Sequence, residues 1–255
     1  MNEVLLLVAG LIGGALNTLA GGGSFIVFPA LLAAGVPPVL ANASNTFAAL
    51  PGYVSGAIGL WKDVVAYRER LLVYGLVAAV FGYAGAELLL HVSDAQFSVV
   101  VPWLMLFAVV LFAFGGRITA FVANRSGASR RARAVGAAVL LLILAAVSLY
   151  GGFFNAGLGV LLLAFLTLAG IGSIHAANGL KLVISSLIAL VAVARFALAG
   201  SIDWYHGGIA LLGVTVGAYV AARLSHRIPT AVIRALVIVY GVALTAYFFW
   251  KTYLA

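Results

Sequence analysis

Long apolar segments, each about as long as a bilayer is thick, constrain this chain more than any other feature. A membrane-crossing helix needs roughly 20 mostly apolar residues. Segments of that kind occupy 38–60, 71–91, 96–115, 174–197, 206–222 and 231–250. Only 8% of the residues are charged, whereas about 25% are charged in an ordinary soluble domain. The sequence therefore predicts an all-α polytopic membrane protein.

Two further apolar stretches, 4–35 and 134–171, are too long for one span and are interrupted in the middle by glycines. We predict that each forms a broken or re-entrant hairpin, in which two helical pieces are joined by a glycine-rich tip. Non-helical backbone at membrane depth is tolerated only where it is buried in protein or lines a wet cavity. The tips are therefore expected in the protein interior or beside a cavity.

The basic residues are concentrated in three loops. The net charge is +8, and eleven of the fourteen Lys and Arg residues lie there: Lys62, Arg68 and Arg70; Arg117, Arg125, Arg130, Arg131 and Arg133; Arg223, Arg227 and Arg234. Cytoplasmic loops of membrane proteins carry such an excess, which accounts for the charge without a nucleic-acid partner. The bias predicts a multi-pass protein of the inner membrane, with 61–70, 116–134 and 222–234 in the cytoplasm and both termini outside it.

This orientation determines how the two hairpins are inserted. The first enters and leaves the membrane on the outside, the second does so on the inside, and three full spans follow each. The chain is thus predicted to consist of two inverted repeats, 1–116 and 134–255, joined by a basic cytoplasmic linker at 117–133. Inverted repeats with interrupted helices are common in secondary transporters.

The two halves also share residues at corresponding positions. Gly-Gly-x-x-Asn occurs in both hairpins, an asparagine recurs in the next helix, and a Gly and an Asp recur further on. The matched residues are Gly13, Gly14 and Asn17 with Gly151, Gly152 and Asn155; Asn45 with Asn178; and Gly59 and Asp63 with Gly200 and Asp203. Their common order supports an internal duplication.

The first half also resembles a known family. The resemblance is carried by GGALNTLAGGGSFIVFPALLAAGVPPVLANASNT followed by GLWKD, and in the second half by GGFFNAGLGV and GSIDW. These segments are similar to the two repeats of the sulfite exporter family (TauE/SafE), over essentially the whole chain. The resemblance implies transport of small anions such as sulfite, sulfonates or other organic acids, driven by an ion gradient. The second hairpin departs from the first: it has only Gly157 and Gly159 in place of the triple glycine and the following proline.

The first glycine tip is a candidate anion receptor. Gly21, Gly22, Gly23 and Ser24 precede a helical piece, and the free N–H groups at a helix N-terminus attract anions. Gly157 and Gly159 are the corresponding candidates in the second hairpin. The alternative is that small residues only allow helices to pack closely, and we favour that interpretation for Gly13, Gly14, Gly151 and Gly152.

Four asparagines are candidate ligands of the same substrate. Asn17 and Asn155 lie next to the two breaks, where they either bind the substrate or satisfy freed backbone groups. Asn42 and Asn45 share one face of the following helix, where interhelical hydrogen bonding is the alternative. The sequence leaves both pairs of alternatives open.

A lysine within a predicted span is the most informative candidate. His175, Asn178, Lys181 and Ser185 share one face of the helix that begins near 174. At 1.5 Å per residue, Lys181 lies roughly 10 Å inside, and an ionisable residue at that depth is a functional hypothesis by default. The expected partner of Lys181 is the anion, and the alternative is that its side chain extends to the cytoplasmic surface. Arg195 is expected to extend to the outer surface, and Glu87 to form an interfacial pair with His91.

The sequence favours a secondary transporter that moves a small anion by alternating access. A coupling proton or sodium ion and a homodimer are further hypotheses, and the lipid bilayer is the expected surroundings. We expect no enzyme activity, cofactor or metal site, and the chain has no cysteine for a thiolate site. The alternatives are a passive anion channel, an intramembrane hydrolase with Ser24 as nucleophile and His175 as base, and an assembly factor.

Overall fold

The computed structural model describes residues 2–123, 130–224 and 230–254, and in these ranges every regular element is an α-helix. This confirms the predicted all-α class. In chain order the helices are α1 Asn2–Ala20, α2 Ser24–Ala33, α3 Pro38–Gly59, α4 Trp61–Val65, α5 Arg68–Leu90, α6 Asp94–Ala123, α7 Arg130–Phe153, α8 Leu158–Leu168, α9 Ile174–Leu198, α10 Trp204–Leu224 and α11 Thr230–Tyr253.

Each long apolar stretch is divided into two helices, as the sequence predicts. The first break lies at 21–23, between α1 and α2, and the second at 154–157, between α7 and α8. Gly21 has a φ of 80° and Gly157 a φ of 81°, a left-handed conformation that glycine adopts without strain. Asn17 lies within α1, one turn before its end. Asn155 lies inside the second break, two residues before the left-handed Gly157.

Three of the described helices are long and apolar enough to cross a membrane: Arg68–Leu90, Gly136–Phe153 and His175–Leu198. Shorter apolar helices include Ser24–Ala33 and Leu158–Leu168, the second piece of each broken hairpin. Large apolar side chains such as Leu72 and Leu142, each 70% exposed, lie on the outer surface of the helix assembly. A lipid environment accommodates such a surface, as in a membrane protein.

Glycines allow the closest helix contacts. A Cβ built on Gly14 of α1 would lie 2.1 Å from the carbonyl oxygen of Val214 in α10, and one on Gly152 of α7 would lie 2.0 Å from that of Gly82 in α5. Cβ atoms on Gly13 and Gly151 would each approach a side chain of their own hairpin, Val27 or Leu158, to 2.6 Å. The packing interpretation of these four glycines is therefore confirmed.

Aromatic rings hold the first hairpin against the second break. Phe28 of α2 makes a T-shaped contact with Phe154 in the break, with ring centroids 5.7 Å apart, and another with Phe97 of α6 at 6.4 Å. All three side chains are fully buried. Such pairs contribute about 0.5–1.5 kcal/mol each beyond their area burial, so they help to position the two breaks beside each other.

The predicted basic linker is only partly covered by the structure. Helix α6 continues to Ala123 and α7 begins at Arg130, so both ends of 117–133 are helical. Residues 124–129 and 225–229, with Arg125 and Arg227, lie outside the described residues. So do the side chains of Arg117, Arg130, Arg131, Arg133, Arg223 and Arg234. The predicted orientation, which depends on these residues, stays a prediction.

Candidate functional site

The two helix breaks lie against each other in the interior. A Cβ built on Gly159, in the first turn of α8, would lie 3.7 Å from the Cα of Gly21 in the first break. Gly21 and Gly159 are 138 positions apart in the sequence, so their contact exists only in the folded chain. The glycine candidates of both hairpins, Gly21 and Gly159, are therefore brought together.

Lys181 lies beside this meeting point. A Cβ built on Gly159 would also lie 3.6 Å from Cδ of Lys181. The lysine side chain is buried, with 8% of its surface exposed, and its Nζ donates a hydrogen bond to Oδ1 of Asn178 at 3.1 Å. It lies seven residues from the start of α9 and does not extend to the surface.

The charge of this lysine has no acidic partner. All six Asp and Glu residues of the chain are among the residues that the structure describes. Within that part of the chain, no carboxylate lies within 4.0 Å of Nζ, and the close ion pairs involve Glu87 and Asp203 instead. An isolated charge in a dry environment loses its hydration without compensation, so Lys181 is an unusual feature of this site.

Four other predicted site residues line one small cavity. Its volume is about 10 Å³, and its lining is Gly13, Asn17, Gly23, Ser24, Val27, Asn45, Ala49 and Val214. A volume of this size is about enough for a single water molecule. The structure therefore brings Asn17, Asn45 and the first glycine tip together in a closed conformation, without room for a larger ligand.

The first break leaves backbone amides free beside this cavity. At the end of α1, the N–H of Gly21 donates to the carbonyl oxygens of Leu16 and Asn17. The first hydrogen bond of α2 runs from the N–H of Phe25 to the carbonyl oxygen of Gly22. Leu19 and Ala20 aside, no acceptor among the described residues pairs with the N–H groups between these two, those of Gly22, Gly23 and Ser24. They have the disposition of an anion receptor at a helix N-terminus.

Asn42 and Asn155 bind within the protein around the second break. Nδ2 of Asn42 donates to the carbonyl oxygen of Phe153, the last residue of α7, at 2.8 Å. Oδ1 of Asn155 accepts a hydrogen bond from the hydroxyl of Tyr53 at 2.7 Å. Oδ1 of Asn42 and Nδ2 of Asn155 are buried and have no partner among the described residues. Each asparagine thus stabilises the break with one end and keeps one polar atom unpaired.

Two predicted site residues lie in other surroundings. A Cβ built on Gly157 would lie 2.9 Å from Cβ of Ala108 in α6, so this glycine packs against a neighbouring helix. His175 is exposed in the first turn of α9. Ser24 is buried and forms no hydrogen bond with His175 in the described part of the chain, so the structure does not assemble the serine–histidine pair that a hydrolase would use.

Three residues near the site were not assigned their actual partners from the sequence. Tyr53 was not recognised as a ligand of Asn155, although a tyrosine in the middle of an apolar span needs a partner for its hydroxyl. Arg195 was expected to extend to the outer surface, but it binds Glu87 through Nε and Nη2. The expected pair of Glu87 with His91 is also present, with Nδ1 of His91 3.7 Å from Oε1. The correction has a simple reason: α9 packs against α5, which sequence spacing does not reveal.

The fold and the site define an all-helical membrane protein with two broken hairpins that meet beside a buried lysine. Residues 6–248 match the family model described as sulfite exporter TauE/SafE. The chain therefore belongs to the sulfite exporter TauE/SafE family, as its resemblance to that family implied.

Curated relatives are similar over nearly the whole chain. A probable membrane transporter protein of Haemophilus influenzae is 29% identical over 245 residues, 95% of this chain and 92% of the relative. The probable membrane transporter protein ORF9 of a Sinorhizobium species is 28% identical, covering 94% and 89%. The probable membrane transporter protein YfcA of Escherichia coli is 27% identical, covering 95% and 87%. No solved structure matches. The family and these relatives indicate a membrane transporter.

Proposed function

We propose that this chain is a secondary transporter that moves a small anion, such as sulfite, a sulfonate or another organic acid, across the inner membrane by alternating access. The observation that carries the proposal is the buried amino group of Lys181 beside both helix breaks, with no carboxylate within 4.0 Å of Nζ in the described part of the chain. An anion that binds there would supply the missing countercharge. The name of the family, sulfite exporter, points to the same class of substrate.

The donors around the site suit an oxyanion. The amide groups of Gly22, Gly23 and Ser24 begin α2, and helix N-termini favour negative charge. Asn17 and Asn45 add side-chain amides on the other side of the same cavity. Amide donors combined with one lysine recognise charge and shape without a metal, which fits a small anion with several oxygen atoms.

The packing of the helices supports the inverted-repeat part of the proposal. If α1, α2, α3, α5 and α6 correspond to α7, α8, α9, α10 and α11, contacts of one half should recur in the other, and several do. Helix α1 packs on α10 and α7 on α5, while α3 packs on α10 and α9 on α5. Helices α3 and α9 also pack on each other, as do α6 and α11. The correspondence maps each of these two pairs onto itself, which is the behaviour of a pseudo-twofold axis.

The closed cavity supports alternating access. With a volume of about 10 Å³, it admits about one water molecule, so an anion enters only after the helices around it separate. The backbones of the two hairpins come close to each other at Gly21 and Gly159. Rocking of one repeat against the other is the common form of this motion in transporters with inverted repeats.

The orientation and the oligomeric state are part of the proposal too. The excess of basic residues in three loops favours an orientation with both termini outside the cytoplasm. A reporter that is active only in the cytoplasm, fused after the last residue, should be inactive, whereas one inserted at 124–129 should be active. The reverse pattern would contradict both the orientation and the inverted repeats. A homodimer stays a prediction, to be checked by light scattering in detergent.

Flux through proteoliposomes tests the function. The purified protein should take up labelled sulfite, a sulfonate or a small carboxylate with saturation, and unlabelled anion inside should accelerate uptake by counterflow. Lipid vesicles without protein provide the baseline, and Lys251→Met, which removes an exposed lysine near the end of α11, is the matched control for charge. Flux that rises linearly with concentration and shows no counterflow would indicate a passive channel instead.

A further inference from the structure

The amino group of Lys181 is buried with a single neutral hydrogen-bond partner. Nζ donates to Oδ1 of Asn178, so an ammonium group there satisfies one of its three N–H bonds within the described structure. A buried ammonium needs both a countercharge and hydrogen-bond acceptors to offset its lost hydration. With the site empty, the neutral amine avoids that cost.

Within the described part of the chain, the neighbouring helices bring no group that would hold the proton on Lys181. Helix α8 has no titratable residue, and on α3 the only one is Tyr53, whose hydroxyl donates to Asn155. On α7, Tyr150 donates to the carbonyl oxygen of Ala156, and on α5, Glu87 is bound to Arg195. The remaining titratable groups on α4, on α5 and in the described part of α9 are Lys62, Asp63, Arg68, Glu69, Arg70, Tyr74, Tyr83 and His175.

We propose that Lys181 carries the coupling proton of transport: its amine is neutral in the empty site and takes up one proton with each anion that binds. This inference rests on the proposed anion transport. The lone pair of Nζ forms one N–H bond with a proton from hydronium on the aqueous side that the site faces, so that one O–H bond of hydronium breaks and a water molecule is released. When the anion leaves on the opposite side, the same N–H bond breaks and the proton leaves with it.

The charge balance of the cycle follows from this assignment. A site that holds one monoanion and one ammonium group is neutral, and the empty site with a neutral amine is neutral as well. Neither form moves net charge through the low-dielectric interior, where an unbalanced charge is costly. A pH gradient would therefore drive transport of a monoanion, and the membrane potential would not. A carboxylate is not needed as the proton carrier.

Calorimetry with methanesulfonate tests the inference, because the charge of this anion does not change in the pH range used. The binding enthalpy is measured in pairs of buffers with different ionisation enthalpies, and the slope gives the number of protons taken up per anion. The number of protons that the wild-type protein takes up per anion should rise with pH and approach about one near about pH 9, still below the usual pKa of a lysine, about 10.4. Binding that involves no proton uptake at any pH would overturn the inference and leave the anion site intact.

Two variants separate Lys181 from other proton carriers. Lys181→Arg keeps a positive charge that is not lost in proteins, so any binding should proceed without proton uptake. Asn178→Asp replaces the amide that accepts from Nζ with a carboxylate, which should keep Lys181 in its ammonium form. Proton uptake per anion should then fall from the wild-type value to near zero. Uptake that persists in both variants would assign the proton to another group. If the wild type binds no methanesulfonate, sulfite or acetate at all, the proposed function itself fails, and this outcome is distinct from binding without protons.

Discussion

Arg195 of α9 binds Glu87 of α5 through two hydrogen bonds, from Nε to Oε2 at 2.5 Å and from Nη2 to Oε1 at 3.2 Å. The two residues are 108 positions apart, and they join a helix of the first half of the chain to one of the second. Their side chains are partly exposed, at 23% and 33%. The pair therefore connects the two halves without being fully removed from solvent.

Loss of this pair should weaken the junction between α5 and α9. Glu87→Gln and Arg195→Gln should each lower the melting temperature of the protein in detergent slightly, because partly exposed ion pairs contribute little to stability. The exchanged variant Glu87→Arg with Arg195→Glu should recover part of the loss. A double-mutant cycle on melting temperatures measures the coupling. A coupling energy of zero would show that the pair does not stabilise the contact between α5 and α9.

Asp203 provides a prediction about pH. Its Oδ1 accepts a hydrogen bond from the N–H of His206 in the first turn of α10 at 2.9 Å, and its Oδ2 lies 2.7 Å from Nδ1 of the same residue. Burial raises the pKa of Asp203, but the hydrogen bonds from the backbone and ring of His206 outweigh it, so the pKa is lowered. A lowered pKa contributes stability above the unfolded-state pKa, and this is lost as the pH falls through the folded-state value.

Asp203→Ala should therefore destabilise the protein by about 1 kcal/mol at neutral pH, the usual loss for a helix N-cap. The difference from the wild type should narrow as the pH falls towards about 3, where carboxylates become protonated. Melting curves at several pH values measure it. A difference that stays constant with pH would show that the charge of Asp203 does not contribute.

Tyr53→Phe tests whether the hydrogen bond to Asn155 in the second break matters for transport or only for stability. It removes the hydroxyl that donates to Oδ1 of Asn155 and leaves a buried amide unpaired, which costs about 1–3 kcal/mol. Tyr150→Phe is the matched control, since its buried hydroxyl also donates to the break, at the carbonyl oxygen of Ala156. If Asn155 must keep its orientation for the substrate, Tyr53→Phe should lower transport more than the control at equal loss of stability. Equal transport in the two variants would show that both hydrogen bonds only stabilise the structure.

Gly159→Ala should obstruct the site without harming the fold. Its Cβ would meet Lys181 and Gly21 at 3.6 and 3.7 Å, which are ordinary contact distances, and alanine favours a helix over glycine by about 1 kcal/mol. The melting temperature should hold or rise, while transport falls because the methyl group lies between the lysine and the first break. Gly208→Ala in α10, where a Cβ meets nothing within 4 Å, is the control. Unchanged transport in Gly159→Ala would remove this contact from the substrate path.

The helices and the two breaks could be predicted from the sequence because they depend on local properties. Apolar length determines where spans form, and glycines such as Gly21 end a helix where their backbone conformation is required. The position of Lys181 on α9, seven residues after its start, was predicted in the same way, and the side chain is buried.

Contacts between distant parts of the chain could not be predicted in this way. The hydrogen bond of Tyr53 to Asn155 and the pairing of Glu87 with Arg195 join residues more than one hundred positions apart, and nothing in their spacing specifies the partner. The same holds for the contact of Gly157, the left-handed glycine of the second break, with Ala108 of α6. These partners depend on which helices are neighbours in the folded chain.

The affinity of Lys181→Met for the transported anion tests the central claim most directly. Removing one partner of a buried charge pair costs about 3–5 kcal/mol, and each 1.4 kcal/mol is a tenfold change in affinity. Allowing for water in the open site, we expect the Kd to rise by at least about tenfold, with Lys251→Met unchanged and the melting temperature without ligand equal or higher. An unchanged Kd in Lys181→Met would contradict the account, because the lysine would then not be the countercharge of the substrate.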